Sequence, residues 1–482
     1  MQNFKILFLL FCVQHLCSQT ISGKLIDADS KNPIPYAHIT ISDVVGVVSN
    51  EEGYFSLHLN ENFKNETVQI SALGYETLKI SVKDFKSETE ILMKTTDLVL
   101  DEVVVGNFNN PNLIINKYVE NAQKNHFFDQ QRMLCFTRKK ETFLPKELNI
   151  ELLEMSYQDK EQFQKQINNF TSKFRNQKAK NFEEHLMEVH FMGKAKKVNP
   201  LKALKLQDEN GLDMDNFQDK FILNTFSTLK SPYTYRIKTG VIPLEKDVSI
   251  DEIIASEKEL DTLSKKDFRL FEAYGLITHL EFIKDQKLYD YTLLGIKNIQ
   301  GISCYHISFV PSRNKGKYIG NLYINADDFA MIRYEFSLHE DKKEFGLNLK
   351  WLLGIKVNTF ASSEVAQYAP TKNGFYYRIF NRKEMSNYAY IHRSLTMTEN
   401  NPKRSDRKKL KLDFELEFIS ESIDEIVVVE MENIADENVK DLKTNEFVLY
   451  ETKYKYDPNF WQPYNVLQAT KEIKQFDSNL LD

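Results

Sequence analysis

The sequence predicts a mainly β protein with helices: a small β-sandwich domain followed by an α+β domain with a large curved antiparallel sheet. Three observations carry this expectation. Phe (34) and Tyr (23) are abundant and Gly (16) is scarce over 482 residues, which suits half-buried sheets and starves the glycine turns of phosphate-binding loops. Short alternating apolar runs separated by turn residues recur from Thr20 to about Lys94 and again from Gly275 to Tyr454. The length also exceeds the roughly 250 residues at which a single core stops growing, so more than one domain is needed. A composition of 42% hydrophobic and 27% charged residues is that of a globular chain. Its net charge of −6 leaves no basic footprint for nucleic acid, which is not expected as a partner.

The elements follow in order. Lys5 precedes the apolar run Ile6 to Val13, too short to span a bilayer and placed as in a secretory signal, so residues 1–19 are expected to be a signal peptide and the protein to be exported. Phe11 before Cys12 and Leu16 before Cys17 do not fit lipid attachment. Removal of the leader leaves Cys135 and Cys304, which one disulfide or two buried thiols would equally satisfy. No later stretch reaches the ~20 apolar residues of a membrane helix, so the mature chain is expected to be soluble or peripheral.

Residues 20–95 read as short strands. Asn32-Pro33-Ile34-Pro35 forbids helix before Ala37 to Ile41, and Ser49 to Leu57 is strand, polar turn, Gly53 and strand, with Phe55 and Leu57 facing one way. Gly23/Asp27, Pro35/Ala37/Ile39, Ser49/Gly53/Phe55 and Ser71/Gly74/Tyr75 together resemble the carboxypeptidase-regulatory-like domain, a transthyretin-like sandwich. In peptidases that domain accompanies a zinc site with a His-x-x-Glu ligand pair. His58/Glu61 and His185/Glu188 have that spacing, but ten histidines in a Glu-rich chain produce it by chance, so a zinc carboxypeptidase is the minor alternative and no metal site is expected. Leu98-Val99-Leu100-Asp101-Glu102-Val103-Val104-Val105 resembles the segment that follows this domain in TonB-dependent outer-membrane receptors. Here it is read as a strand finishing the sandwich, with acidic residues guarding its edge.

Residues 96–130 supply that linker strand and an amphipathic helix, Asn112 to Asn125, with Leu113, Ile114, Tyr118, Val119 and Ala122 at helical spacing behind Pro111. Residues 131–460 form the α+β domain, with a helical insertion at about 158–200 and a half-barrel-like antiparallel sheet. Residues 461–482 are left as a C-terminal tail. Strands are expected at Tyr289 to Gly295, Ile302 to Phe309, Gly320 to Ile324, Met331 to Phe336, Gly374 to Phe380, Lys411 to Phe418 and Glu446 to Tyr454, with Asn325-Ala326-Asp327-Asp328 as a turn. The run Gly301 to Phe309, Gly320 to Asn325 and Ile332 to Phe336 resembles the lipoprotein-carrier half-barrel, and more closely the envelope proteins that join such a sheet to a carboxypeptidase-regulatory-like sandwich. The resemblance implies a periplasmic or outer-membrane-associated protein that holds an apolar ligand under helices.

No nucleophile elbow, Walker loop, dinucleotide turn or cysteine pair at metal spacing occurs, so the protein is read as non-enzymatic and without cofactor. Two functional classes remain: a lipid or other apolar ligand bound in the sheet, or an adaptor for an outer-membrane protein partner. The candidate ligand-facing residues are Ile332, Tyr334 and Phe336 on one strand and Leu412, Phe414, Leu416 and Phe418 on another, each set sharing one face by the period of two. The basic run Lys403, Arg404, Arg407, Lys408 and Lys409 is the candidate headgroup contact at the rim. An open apolar face would favour the ligand; a closed core with an exposed apolar patch would favour the adaptor.

Overall fold

A computed structural model describes residues 19–42, 45–86, 89–96, 110–126, 130–156, 159–174, 178–192, 195–207, 231–240, 242–251, 262–264, 277–312, 315–371, 373–434 and 442–477. The signal segment and the Leu98–Val105 strand lie outside the described residues.

The sandwich comprises β1 (Gln19–Asp27), β2 (His38–Ile41), β3 (Val45–Val48), β4 (Tyr54–Leu59), β5 (Thr67–Ser71), β6 (Leu78–Ser81) and β7 (Thr89–Met93). One layer is β4-β1-β7, with β1 and β7 parallel; the other is β3-β2-β5-β6. Gly53 closes the β3–β4 turn at φ +81°, where a Cβ would lie 2.5 Å from the Leu25 carbonyl oxygen, so the position requires glycine. Buried Ser49 pins the proline-rich bend to the same hairpin, accepting from the Ala37 N–H at 3.0 Å and donating to the Ile34 carbonyl at 2.8 Å.

The body adds α1 (Pro111–Asn125), β8 (Gln131–Met155), α2 (Lys160–Phe174), β9 (Ala179–Met192), β10 (Ala195–Leu206), β11 (Tyr235–Thr239), β12 (Ile242–Val248) and β13 (Thr262–Ser264). There follow α3 (Glu281–Lys284), β14 (Tyr289–Ile299), β15 (Ile302–Pro311), β16 (Tyr318–Asn325), β17 (Met331–Leu338) and β18 (Phe345–Leu349). The chain continues through α4 (Lys350–Leu353), β19 (Ile355–Pro370), β20 (Tyr376–Glu399), β21 (Lys409–Asn433), β22 (Phe447–Lys453) and α5 (Lys471–Lys474). Ladders link these strands in the order β14-β15-β16-β17-β19-β20-β21-β8-β9-β10-β22-β13, antiparallel except for β10–β22. β18 extends the free edge of β19, and β11 with β12 extends that of β20. Three strands of 24 or 25 residues, β8, β20 and β21, each run about 80 Å and form the spine of the sheet. The protein is therefore mainly β.

Within the insertion expected to be helical at about 158–200, the residues from 179 onward instead form strand β9 and the first half of β10. The misleading feature is charge. Glu184 and Glu188 stand among apolar residues like the polar face of a solvated helix, yet they are carboxylates neutralised by Arg138 and Arg132 across the β8 ladder. Helix α1 forms where expected, capped by the Asn110 side chain, but buries Ile114, Ile115, Tyr118 and Ala122 while Leu113 and Val119 face solvent. Cys135 and Cys304 are buried free thiols.

Candidate interaction sites

Met331–Leu338 places Ile332, Tyr334 and Phe336 on one face, as its alternation demands, and all three are buried. Helices α1 and α3 fill the space above them: Phe282 stacks on Phe309 with centroids 4.4 Å apart and touches Phe336 at 5.1 Å. The Tyr334 hydroxyl donates to Glu364 at 2.6 Å, and the buried Arg378 guanidinium lies 5.7 Å from the Tyr334 ring centre. These three side chains are packed core.

The second candidate set grades from closed to open. Leu412 is fully buried with Leu148, Ile150 and Leu152 under Phe163 and Ile167 of α2, whereas Phe414, Leu416 and Phe418 are half-buried. Phe418 meets Phe143 at 5.1 Å. Register carries this apolar face sideways across the sheet. Leu148, Leu416, Ile391, Ile355 and Leu349 are successive cross-strand partners, and so are Pro145, Phe418, Ala389, Val357 and Leu347. Both rows end on β18, whose Phe345 and Leu347 are 56% and 39% exposed.

Beyond β18 the chain turns through α4, leaving Trp351 85% and Leu352 59% exposed. Gly354 closes the turn at φ +67°, and a Cβ there would sit 2.0 Å from the His392 carbonyl oxygen. Its own carbonyl accepts from the His392 N–H at 2.8 Å, which ties the projecting turn to β20. Lys350 and Lys356 flank the turn, with their ammonium groups 3.8 Å from the Tyr390 and 5.3 Å from the Tyr388 ring centres. Sequence reasoning missed this hairpin. Its signal is Trp-Leu-Leu-Gly directly after Lys350, in a stretch too short to show a period.

The basic run lies elsewhere, on the connection between β20 and β21 beside the closed end of the apolar face. Lys403 pairs with Asp406 at 3.0 Å, Lys409 pairs with Glu154 at 2.6 Å, and Arg407 donates to the Asn401 carbonyl at 2.7 Å. The Lys408 backbone N–H reaches Glu399 at 3.3 Å, and Arg404 sits in a single 3-10 turn. Much of the run thus satisfies its own loop. Along β20, Glu399 is eight residues from Ile391, so the run stands about 25 Å from the row that reaches β18.

At the opposite end of the spine the sandwich and sheet share one apolar core, in which Ile39, Phe55 and Ile70 join Phe136, Phe182, Phe380 and Val427. The expected tail completes it: Trp461, Leu467, Ile473 and Phe476 are buried there. Beneath them Glu184 accepts from Arg138 at 2.6 Å and from the Trp461 indole N–H at 2.5 Å, and Arg138 also donates to the Leu467 carbonyl at 2.8 Å. Asn465 exchanges hydrogen bonds with the His58 backbone at 2.7 and 3.2 Å, so the tail joins sandwich to sheet. Beside this seam a cavity of about 370 Å³ lies between β2, β3, β5 and the ends of β8 and β21. His38 lines it with Gln69, Gln131, Gln300 and Glu430; burial pushes the His38 imidazole down to about 4, and its Nδ1 is 2.9 Å from the Gln300 amide nitrogen.

Neither His-x-x-Glu pair forms a ligand set. His185 and Glu188 share strand β9, where residues three apart point to opposite faces, while Glu61 lies in a 3-10 turn beyond the end of His58's strand. His58 contacts Thr20 at 2.8 Å, and His185 contacts Thr137 at 2.9 Å and Tyr450 at 2.7 Å, while Glu61 pairs with Lys64 and Glu188 with Arg132. Among the described residues no group of three metal-ligating side chains occurs, and no helix is long and apolar enough to cross a membrane, which says nothing of strands.

Residues 21–105 match the CarboxypepD_reg-like domain family, so the N-terminal sandwich is such a domain. None of the curated proteins matches the chain. Among solved structures, a DUF1329 family protein from Desulfovibrio piger ATCC 29098 is 10% identical, covering 63% of this chain and 90% of its own, with a TM-score of 0.17. A candidate membrane-associated protein of unknown function from Bacteroides fragilis NCTC 9343 is 7% identical, covering 84% of this chain and 97% of its own, with a TM-score of 0.13. Likenesses this slight carry no argument about the body.

Proposed function

We propose that the protein is a non-enzymatic adaptor of the cell envelope, a stiff connector between something held near the sandwich and something met at the far hairpin. The observation that supports this most directly is a closed core beside an exposed apolar cluster: Ile332, Tyr334, Phe336 and Leu412 are sealed, while Trp351 and Leu352 are bare. The shared core and the Arg138–Glu184–Trp461 seam favour a sandwich held fast to the sheet, as a connector requires. A second reading, apolar-ligand binding, retains the half-covered Phe414, Leu416 and Phe418. Native mass spectrometry of protein taken from its own envelope fraction separates the two. The adaptor should fly at the mass of its polypeptide alone; a stoichiometric acyl-chain adduct would return the function to ligand carriage.

A further inference from the structure

We propose that the hairpin Phe345–Gly354 is a membrane-docking element that inserts Trp351 and Leu352 into the headgroup boundary of an anionic lipid surface. The inference rests on the adaptor reading and names what its far end meets. Four large apolar side chains within eight residues of one hairpin are exposed, Phe345 and Leu347 on β18 and Trp351 and Leu352 on the turn after it, where solitary exposed residues would need no explanation. Their chemistry suits a bilayer boundary: an indole has an apolar body and one N–H donor, the combination enriched at headgroup depth, and leucine supplies insertion below it. Charge fits as well. The hairpin residues 345–358 carry Lys350 and Lys356 and no acidic residue, although Glu344 precedes them and Glu415 bonds the Tyr390 hydroxyl at 3.1 Å, so these two ammonium groups are the hairpin's own attraction for an anionic surface. Both lysines are splayed against Tyr390 and Tyr388 beside the apolar tip, where they can reach phosphates while the tip sinks.

The lock at Gly354 gives the turn a fixed projection, so docking would not require the hairpin to order first. Continuity with the half-buried rows through Leu349 and Leu347 extends the apolar surface behind the tip onto the sheet.

The chain contains two tryptophans, and the other, Trp461, is only 8% exposed. Emission changes on lipid addition therefore report Trp351. The experiment uses in every arm the chain from residue 20 onward, as export is expected to leave it, and vesicles of three parts phosphatidylcholine to one part phosphatidylglycerol. Wild-type emission should shift to the blue and be quenched by brominated acyl chains, and Trp351→Phe should erase both signals. Trp351→Glu with Leu352→Glu should lower the vesicle partition coefficient about a hundredfold. Lys350→Glu with Lys356→Glu should lower it about tenfold, with the loss confined to anionic vesicles. Unchanged melting of these surface variants would exclude misfolding as the cause. The proposal is overturned by wild-type emission indifferent to vesicles, or by equal partitioning of wild type and the double-glutamate variant. It is also overturned by a lipid-free dimer that the double-glutamate variant abolishes, which would give this face to a second copy. Such a failure leaves the adaptor reading in place, since that stands or falls on the native mass.

Discussion

The two ends of the long sheet treat apolar side chains oppositely. At the sandwich end the core side chains Phe55, Phe136, Phe182 and Trp461 are buried, and polar groups among them are paired: Trp461 gives its N–H to Glu184, and Glu184 neutralises Arg138. At the hairpin end Trp351 is 85% exposed, although the same strands β19 and β20 run through both regions. A strand ladder supplies backbone hydrogen bonds wherever it goes, so it can extend past its core; burial comes from what packs over its faces. The difference therefore locates stability at one end and leaves the other free for contact.

Breaking the seam should have the largest effect. Trp461→Ala removes a buried indole that packs edge-on against Phe136 at 5.3 Å and deprives buried Glu184 of a donor, so we expect a loss of about 4 kcal/mol in urea unfolding. A loss below about 1 kcal/mol would mean that the tail is not part of the core.

Acid should act on the same end next. Burial holds His38 at about 4, and burial likewise holds His126 at about 4, its Nδ1 lying 3.0 Å from the Tyr376 carbonyl oxygen. Both folded values lie below the ordinary 6.5, so between pH 6.5 and 4 the unfolded chain binds more protons than the folded one. The stabilisation is complete above pH 6.5 and falls as pH drops towards 4, by up to about 3 kcal/mol for each histidine. Hydrogen exchange at pH 5 should accelerate around β2 and the C-terminal end of α1. An equal acceleration in β18 and in the residues 355–359 of β19 that pair with it would contradict the division between the two ends.

A single strand, β21, contains the same contrast in miniature. Leu412→Ala empties a site sealed by α2 and should cost about 3 kcal/mol, whereas Phe418→Ala, on a half-covered position of the same face, should cost about 1 kcal/mol. Equal losses, read from urea midpoints, would show that the lid extends further along the face.

How much of this was legible follows from the same physics. The alternation in Met331 to Phe336 and in Leu412 to Phe418 correctly assigned each set to one face, because strand geometry alone decides that. It could not say which set would be sealed, since the lids are Tyr118 and Phe282 in one case and Phe163 in the other, all distant in sequence. The sandwich was readable because its turns are local, as Gly53 and Ser49 illustrate. Strand β9 was hidden by Glu184 and Glu188, covered carboxylates whose arginine partners lie 46 and 56 residues away. The hairpin was overlooked because exposure is a property of what fails to pack, and no motif records that.

The smallest expected change in stability is the most informative. Trp351→Ala removes the largest side chain type in the protein from a position where it is 85% exposed, so it withdraws little area from burial and leaves no cavity. Substitutions at such surface positions lie within about 0.5 kcal/mol of neutral. Set against about 4 kcal/mol at Trp461, this would be a roughly eightfold difference in energy between two tryptophans of one chain. The result matters because a cost above 1 kcal/mol would require a packing partner for Trp351, and the hairpin would then belong to the folded core. A near-zero cost leaves an exposed tryptophan that folding does not need.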